Sequence, residues 1–161
     1  MNGSWLRNHG AQLTIAEKPL VAIVDDDVSV RQSARRLIHS LGYRAEAFGS
    51  AEEFLDSGQA TETACLILDV RMPRIDGLGL QRRLAGSEPP IPIVFITARA
   101  SEEEERRALR AGAVAFLRKP VDKEALLRVL GAVLERSASG GGNHDDDSSH
   151  WPVRTADRYS G

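Results

Sequence analysis

The chain has 161 residues, of which 42% are hydrophobic, so it is long and apolar enough for one domain with a buried core. With a formal net charge of -2, no apolar stretch of membrane-spanning length and no secretory signal, we expect neither a direct nucleic-acid partner nor a membrane. Cys65 is the only cysteine, which excludes an intramolecular disulfide and favours a reducing, cytoplasmic compartment.

Composition divides the chain into three parts. Residues 1–18 show no periodicity and predict a disordered leader. Strand-like and helix-like segments alternate over residues 19–136, which predicts one folded domain. Residues 137–161 are rich in glycine, serine and aspartate, a composition typical of a disordered tail.

The folded part is predicted to contain five strands and five helices. The predicted strands are residues 20–25, 43–48, 64–69, 92–97 and 115–118. The predicted helices are residues 28–41, a short helix opened by Ser50 and ending near Gly58, residues 78–85, a helix from Ser101 to Gly112, and a last helix from about Asp122. Ser50 with Glu53, and Ser101 with Glu104, have the spacing of capping boxes.

This alternation predicts an α/β fold, a doubly wound five-stranded parallel sheet with helices on both faces. We choose the flavodoxin-like strand order 2-1-3-4-5 because it makes the strands that end at Asp25-Asp26 and at Asp69 neighbours.

Four of the strands end on residues able to handle a phosphoryl group. They end at Asp25-Asp26, at Asp69, at Thr97 and near Lys119-Pro120. In an open parallel sheet the carboxyl ends of the strands lie at one edge, where ligands bind. We therefore expect carboxylate, hydroxyl and ammonium groups to converge on one small site.

Three carboxylates held together repel one another unless a proton or a cation compensates them. Oxygen ligands of this kind suit Mg2+, which needs few carboxylates and keeps several waters. Asp69 stands alone at a central strand end and is the best candidate for a nucleophile that forms an acyl phosphate. Asp25 and Asp26 are better placed to hold metal, Lys119 to hold phosphate oxygens, and Thr97 to donate a hydrogen bond to them.

Four motifs resemble those of two-component response-regulator receiver domains over residues 20 to 136. They are Val24-Asp25-Asp26-Asp27, Leu68-Asp69-Val70-Arg71-Met72-Pro73, Ile96-Thr97-Ala98 and Lys119-Pro120. The chain is most similar to the branch whose receivers are often joined to a helix-turn-helix output domain. No output-domain pattern follows here, so we expect a stand-alone receiver or a fragment.

The resemblance implies a role for each site residue. Asp69 is the phosphoacceptor, Asp26 a direct Mg2+ ligand, and Asp25 a ligand acting mainly through metal-bound water. The backbone carbonyl of Arg71 is the third protein ligand. In addition, Thr97 and Lys119 contact the phosphoryl group, and the Lys119-Pro120 bond is a cis proline that aims the lysine inward.

The same resemblance implies a signalling switch. Phosphorylation pulls Thr97 toward Asp69, and Phe116 moves between an outward and a buried rotamer. The face from Ser101 to Leu134 then changes and controls a downstream protein or forms a phosphorylation-dependent homodimer. The donor is a sensor histidine kinase or a phosphotransfer protein. Such a domain is not a turnover enzyme, although it assists its own phosphoryl transfer and autodephosphorylation.

Arg71 and Arg99 each lie two residues beyond a site residue, Asp69 and Thr97 respectively. We predict that one or both guanidinium groups tune the lifetime of the phosphoryl group, by steering the donor or by obstructing the hydrolytic water.

Two other functions stay open at the level of sequence. An aspartate-nucleophile phosphatase of the haloacid-dehalogenase type would use Asp25 and Asp27 as its D-x-D motif. It would leave Asp69 without a role, and its acidic pair could only be Asp122 and Glu124 at a helix start. A protein-interaction module that is never phosphorylated is the other alternative, although the complete set of site residues argues against it.

Overall fold

A computed structural model of the protein describes residues 18–138, with side chains described to residue 135. Apart from Lys18, the predicted leader lies outside the described residues, as does nearly all of the predicted tail. Within the described part of the chain, no helix combines the length and the apolar character needed to cross a bilayer.

Strands and helices alternate along the chain as predicted. The strands are β1 (Leu20–Val24), β2 (Arg44–Phe48), β3 (Thr63–Leu68), β4 (Ile93–Thr97) and β5 (Ala115–Arg118), and the helices are α1 (Val28–Ser40), α2 (Ala51–Asp56), α3 (Gly77–Leu84), α4 (Glu102–Arg110) and α5 (Lys123–Ala138). A short 3-10 turn over Ala60–Glu62, which the sequence analysis does not predict, leads into β3. Helix α5 runs on past Arg136, where the predicted domain ends.

All five strands are parallel and lie in the order β2-β1-β3-β4-β5, which confirms the predicted fold. In the register of the central pair, Val24 of β1 lies beside Leu68 of β3. Asp25 and Asp69 directly follow these two residues. The register therefore places the two acidic residues side by side, at the edge of the sheet where the strand order reverses.

Side chains of the sheet alternate between two hydrophobic cores, one on each face. On one face, Val21 and Ile23 pack with buried residues of α1 and α5, including Ile38 and Leu130. On the other face the core contains Ala22, Val24, Phe54 of α2, Leu80 of α3 and Ala108 of α4. Because all residues of β1, and all residues of β3 except Ala64, are buried, these strands hold the site residues on a rigid frame.

Side chains at the helix starts fix where three helices begin. Asp27 caps α1 by accepting hydrogen bonds from the backbone N–H groups of Ser29 and Val30. The capping box predicted for Ser101 and Glu104 is complete. The one predicted for Ser50 and Glu53 is only half correct, because the Glu53 carboxylate accepts from the N–H of Gly49 rather than from that of Ser50.

Candidate functional site

Three aspartates converge at the carboxyl edge of the sheet. One carboxylate oxygen from each of Asp25, Asp26 and Asp69 lies within 4.8 Å of the other two. Asp25 and Asp69 are buried, at 4% and 7% exposure, whereas Asp26 faces solvent. The cluster therefore has two buried oxygens at its base and an open side through which a ligand can enter.

The three consecutive acids Asp25, Asp26 and Asp27 have different surroundings. Asp25 Oδ1 accepts a hydrogen bond from the N–H of Asp27 at 2.9 Å, while the Asp27 carboxylate is used to cap α1. The Arg31 guanidinium donates to the Asp25 carbonyl at 2.8 Å, which holds the turn between β1 and α1. Only Asp25 and Asp26 thus remain available for a ligand.

Lys119 brings a positive charge into the cluster from the end of β5. Its Nζ lies 3.0 Å from Asp25 Oδ2 and 3.8 Å from Asp69 Oδ2. The Lys119 N–H donates to the carbonyl of Thr97 at 2.9 Å, and the Lys119–Pro120 peptide bond is cis. One ammonium therefore faces two buried carboxylates.

The charge balance of the cluster is negative. Burial, and then the charge of Asp25, raise the pKa of Asp69, whereas Lys119, the Thr97 hydroxyl and the Arg71 N–H oppose that rise. Three carboxylates meet a single ammonium here, so Lys119 does not compensate the cluster fully. A hard divalent cation with oxygen ligands, such as Mg2+, fits this donor set because it would supply the missing positive charge.

Thr97 and Phe116 lie behind the cluster, on β4 and β5. Thr97 is fully buried, and its hydroxyl donates to the backbone carbonyl of Arg99 at 3.2 Å. Phe116 is 1% exposed, with its ring centroid 5.7 Å from that of Phe95 and 5.6 Å from the guanidinium carbon of Arg118. The structure thus holds the Phe116 ring in an inward position.

A pocket of about 280 Å3 opens beside Asp69 and Thr97, lined also by Arg71, Ala98 and Arg99. The Arg71 guanidinium is already hydrogen-bonded, donating to the Arg99 carbonyl at 3.3 Å and to Glu104 at 2.8 Å. The Arg99 side chain makes no hydrogen bond or ion pair with any residue that the structure describes. Of the two arginines, Arg99 is therefore the one whose side chain is not held by another described residue.

Gly77 contributes to the site in a way that the sequence analysis missed. Its N–H donates to the Val70 carbonyl at 2.9 Å, and a Cβ at this position would overlap the Asp69 carbonyl and lie 2.9 Å from the Val70 Cα. The start of α3 can pack against the backbone of Asp69 only without a side chain here. The Asp76-Gly77 pair is visible in sequence, but there it indicates only a turn.

The arrangement does not favour the phosphatase alternative. Asp27, the second acid of the D-x-D motif, is occupied by the cap of α1. Asp69 instead lies in the cluster beside Lys119, where that alternative gives it no role.

Comparisons with known proteins agree with this geometry. The response regulator receiver domain family matches residues 21–131. Nodulation protein W of Bradyrhizobium diazoefficiens is 42% identical over 81% of this chain and 57% of its own length. For the response regulator protein TmoT of Ectopseudomonas mendocina the identity is 38%, over 78% of this chain and 57% of that protein. The chain thus spans about half the length of the curated relatives it matches.

Solved structures give the same result. A response regulator receiver protein from Burkholderia phymatum is 45% identical with a TM-score of 0.65, covering 73% of this chain and 96% of that one. A CheY-like receiver domain protein from Methanospirillum hungatei is 26% identical with a TM-score of 0.71, covering 78% and 100%. Receiver domains are phosphoacceptor signalling domains that bind Mg2+ at an acidic pocket and generally are not turnover enzymes. With its matched sequence, its sheet order and its acidic cluster, this chain belongs to the response regulator receiver domain family of two-component signalling.

Proposed function

We propose that the protein is a phosphorylation-dependent switch of a two-component phosphorelay that accepts a phosphoryl group on Asp69. One observation carries the proposal: the buried Asp69 carboxylate lies in a three-aspartate cluster, 3.8 Å from the Lys119 ammonium. The donor is a sensor histidine kinase or a phosphotransfer protein in the cytoplasm, and the recipient of the signal is a downstream protein.

The residues of the cluster have different roles toward Mg2+ and Lys119. Asp26 and Asp69 would hold Mg2+ directly, the Arg71 backbone carbonyl would be the third protein ligand, and Asp25 would act mainly through a bound water. The ion, when bound, supplies positive charge that screens the repulsion between the acceptor carboxylate and the incoming phosphate. Asp25 also holds Lys119 in place, through the contact of 3.0 Å between them.

In the transfer itself, an Asp69 oxygen forms a bond to phosphorus while the phosphorus–nitrogen bond of the donor histidine breaks, and the imidazole takes up a proton. Lys119 and Thr97 then contact the phosphoryl oxygens. Water reverses the modification by attacking phosphorus: the bond between phosphorus and the Asp69 oxygen breaks, inorganic phosphate leaves and the Asp69 carboxylate is regenerated. The protein contributes mainly position and charge to both steps.

The switch would begin at Thr97. Its hydroxyl now donates to the Arg99 carbonyl and would leave that acceptor to reach the phosphoryl group. The residues between β4 and α4 would follow, and Phe116 would adjust its rotamer. The face from Ser101 to Leu134 changes as a result and binds a downstream protein or a second copy of the chain. Shifting the population from mostly the inactive to mostly the active conformation requires roughly 5 kcal/mol of differential stabilisation.

The lifetime of the phosphoryl group is proposed to depend on the arginines beside the pocket. Arg99 is the stronger candidate, because it lines the pocket and its side chain has no hydrogen-bond or ion-pair partner among the described residues. Replacing Arg99 by alanine changes the dephosphorylation half-life under this proposal. An unchanged half-life in both Arg99→Ala and Arg71→Asn would refute a role for either side chain.

Phosphorylation by acetyl phosphate with Mg2+, followed by intact-protein mass measurement, tests the main proposal. The wild type should gain one phosphoryl group, and Asp69→Asn should gain none. Asp56→Asn is the control, because Asp56 is an exposed acid at the end of α2, outside the cluster. Labelling that persists in Asp69→Asn, or that is absent from the wild type, would overturn the proposal. Turnover of a chromogenic phosphate ester would instead favour a phosphatase.

A further inference from the structure

The Arg71 side chain connects the loop that follows Asp69 to the beginning of α4. Its Nε donates to the Arg99 carbonyl at 3.3 Å, and its Nη2 donates to Glu104 Oε1 at 2.8 Å. Arg71 and Glu104 are 33 residues apart in the chain. The guanidinium thus spans from β3 to the first turn of α4, across the segment that follows Thr97.

Glu104, which accepts the hydrogen bond from Arg71, also completes the capping box of α4. Glu104 Oε1 accepts from the backbone N–H of Ser101 at 3.0 Å, while the Glu104 N–H donates to Ser101 Oγ at 3.1 Å. The same carboxylate oxygen therefore serves the capping box and the Arg71 guanidinium. Any movement of Arg71 changes the position, and the charge, of the group on which the start of the helix depends.

Helix α4 has little apolar anchoring, although Gln81 of α3 donates to its Ala108 carbonyl at 3.0 Å. Of its nine residues, Ala108 is the only buried one. A helix this short is marginal without tertiary contacts. Four consecutive glutamates, from Glu102 to Glu105, occupy its first turn, and Arg118 of β5 neutralises one of them at 2.8 Å from Glu105. Because apolar burial is small, polar contacts such as these decide where the first turn lies.

The other end of the connection lies at the Asp69 site. The Arg71 N–H donates to Asp69 Oδ1 at 3.3 Å. The Arg99 carbonyl that receives Arg71 Nε also receives the Thr97 hydroxyl, at 3.2 Å. Arg71 therefore contacts Asp69 through its backbone N–H. Its side chain shares the Arg99 carbonyl with the Thr97 hydroxyl, which is proposed to contact the phosphoryl group.

We infer that Arg71 is a positioning residue which, through Glu104, couples the state of the Asp69 site to the first turn of α4. The inference rests on the proposed phosphorylation of Asp69. When Thr97 leaves the Arg99 carbonyl, Arg71 Nε is the side-chain donor that remains there. The guanidinium then follows the Arg99 peptide and draws the Glu104 carboxylate with it. The capping box of α4 is thus the first structure outside the site whose geometry changes on phosphorylation.

Glu104→Gln separates this coupling from the cap itself. A glutamine at this position still accepts from the Ser101 N–H, since capping boxes use either residue, but it lacks the charge that attracts Arg71. Glu103→Gln is the matched control. It removes an ion pair of 2.9 Å with Arg106 in the same turn, and neither residue contacts the Asp69 loop.

The experiment is amide hydrogen exchange at Asp69, at Arg71 and over Ser101 to Glu105, with and without Mg2+ and beryllium trifluoride, which mimics a phosphoryl group on Asp69. In the wild type, the mimic should change exchange in this turn by roughly threefold to tenfold, the range expected for one ordinary hydrogen bond. Glu104→Gln should still bind the mimic but lose that response. Glu103→Gln should keep it. Because coupling between sites is reciprocal, Glu104→Gln should also shift the affinity for the mimic.

The outcomes separate the two proposals. If the mimic leaves exchange at Asp69 and Arg71 unchanged in the wild type, the proposed function fails and this inference falls with it. If the mimic binds but the Ser101–Glu105 turn responds equally in wild type and Glu104→Gln, only the coupling through Glu104 is overturned. A response lost equally in Glu103→Gln would also overturn it, since charge in the turn, rather than the contact with Arg71, would then be responsible.

Discussion

Lys119 Nζ lies 3.0 Å from Asp25 Oδ2, closer than it lies to the Asp69 carboxylate. In the absence of a cation, the ammonium is thus the main compensation for Asp25, which is 4% exposed. Removing one partner of a buried charged hydrogen bond leaves the other without compensation. The stability of the protein and its affinity for a cation should therefore both depend on Lys119.

Lys119→Ala should lower the free energy of unfolding by about 2 kcal/mol in the presence of a chelator. The loss should shrink when Mg2+ is added, because the cation takes over the compensation. Mg2+ should also bind more tightly to the variant, since it no longer competes with the ammonium for Asp25. Urea denaturation with and without Mg2+, together with calorimetric Mg2+ titration, measures both effects. Lys123→Ala, at an exposed position at the start of α5, is the control. A loss of equal size with and without Mg2+ would contradict the argument.

Asp69→Asn should stabilise the metal-free protein at neutral pH. Burial and Asp25 raise the pKa of Asp69 in the folded state, so ionisation of this group costs stability above its unfolded pKa of about 3.9. The amide has no charge to bury, and the gain should be about 0.5–2 kcal/mol, in the usual range for replacing a strained functional group. As the pH falls toward about 4, Asp69 becomes protonated in both states and the gain should disappear. Denaturation at a series of pH values tests this, and a gain independent of pH would refute it.

Gly77→Ala should damage both stability and phosphorylation. The added Cβ overlaps the Asp69 carbonyl, so the start of α3 or the acceptor strand must shift, at a cost of about 1–3 kcal/mol. The displaced acceptor should then be labelled more slowly by acetyl phosphate. Gly131→Ala is the matched control, because Gly131 lies inside α5 with no atom within 4 Å of the added Cβ. That substitution should stabilise the protein by about 0.5–1 kcal/mol. Similar behaviour of the two variants would show that the backbone of Asp69 tolerates the contact.

Cys65 should react with thiol reagents only when the protein unfolds. It is fully buried in β3, and burial raises the pKa of its thiol to about 12 from an ordinary value of 9.0. The folded state therefore favours the neutral thiol, and its stability should decline as the pH rises from about 9 toward 12. Comparing the wild type with Cys65→Ala over that range isolates the contribution of this thiol. Rapid labelling under native conditions at neutral pH would contradict the assignment.

The strand ends of the site are visible in the sequence because short hydrophobic runs stop abruptly at polar residues. Asp25, Asp69 and Thr97 each follow or end such a run, and the predicted strand order was sufficient to make the first two neighbours. Parallel strands buried on both faces leave little freedom in register, so the edge on which these residues meet follows from the pattern.

The side-chain directions at the site could not be predicted in the same way. Arg71 turns toward Glu104 because a carboxylate from α4 lies there, and no local signal marks a partner 33 residues away. The loop after β3 contains Arg74 in a left-handed conformation, with φ of 64°, which sequence propensity assigns to glycine or asparagine. The need for Gly77 likewise arises from the packing of two segments, a feature that a single turn pattern does not reveal.

The inward ring of Phe116 also has a thermodynamic consequence. The ring is 1% exposed and lacks a hydroxyl group, so no hydrogen bond holds it in place. Moving it into water would expose apolar surface and carry a positive heat capacity. The balance between inward and outward rings would then vary with temperature, and cooling would weaken the hydrophobic preference for the inward ring. If Phe116 is the proposed switch residue, the phosphorylation-dependent change should therefore depend on temperature without any change in the phosphoryl site.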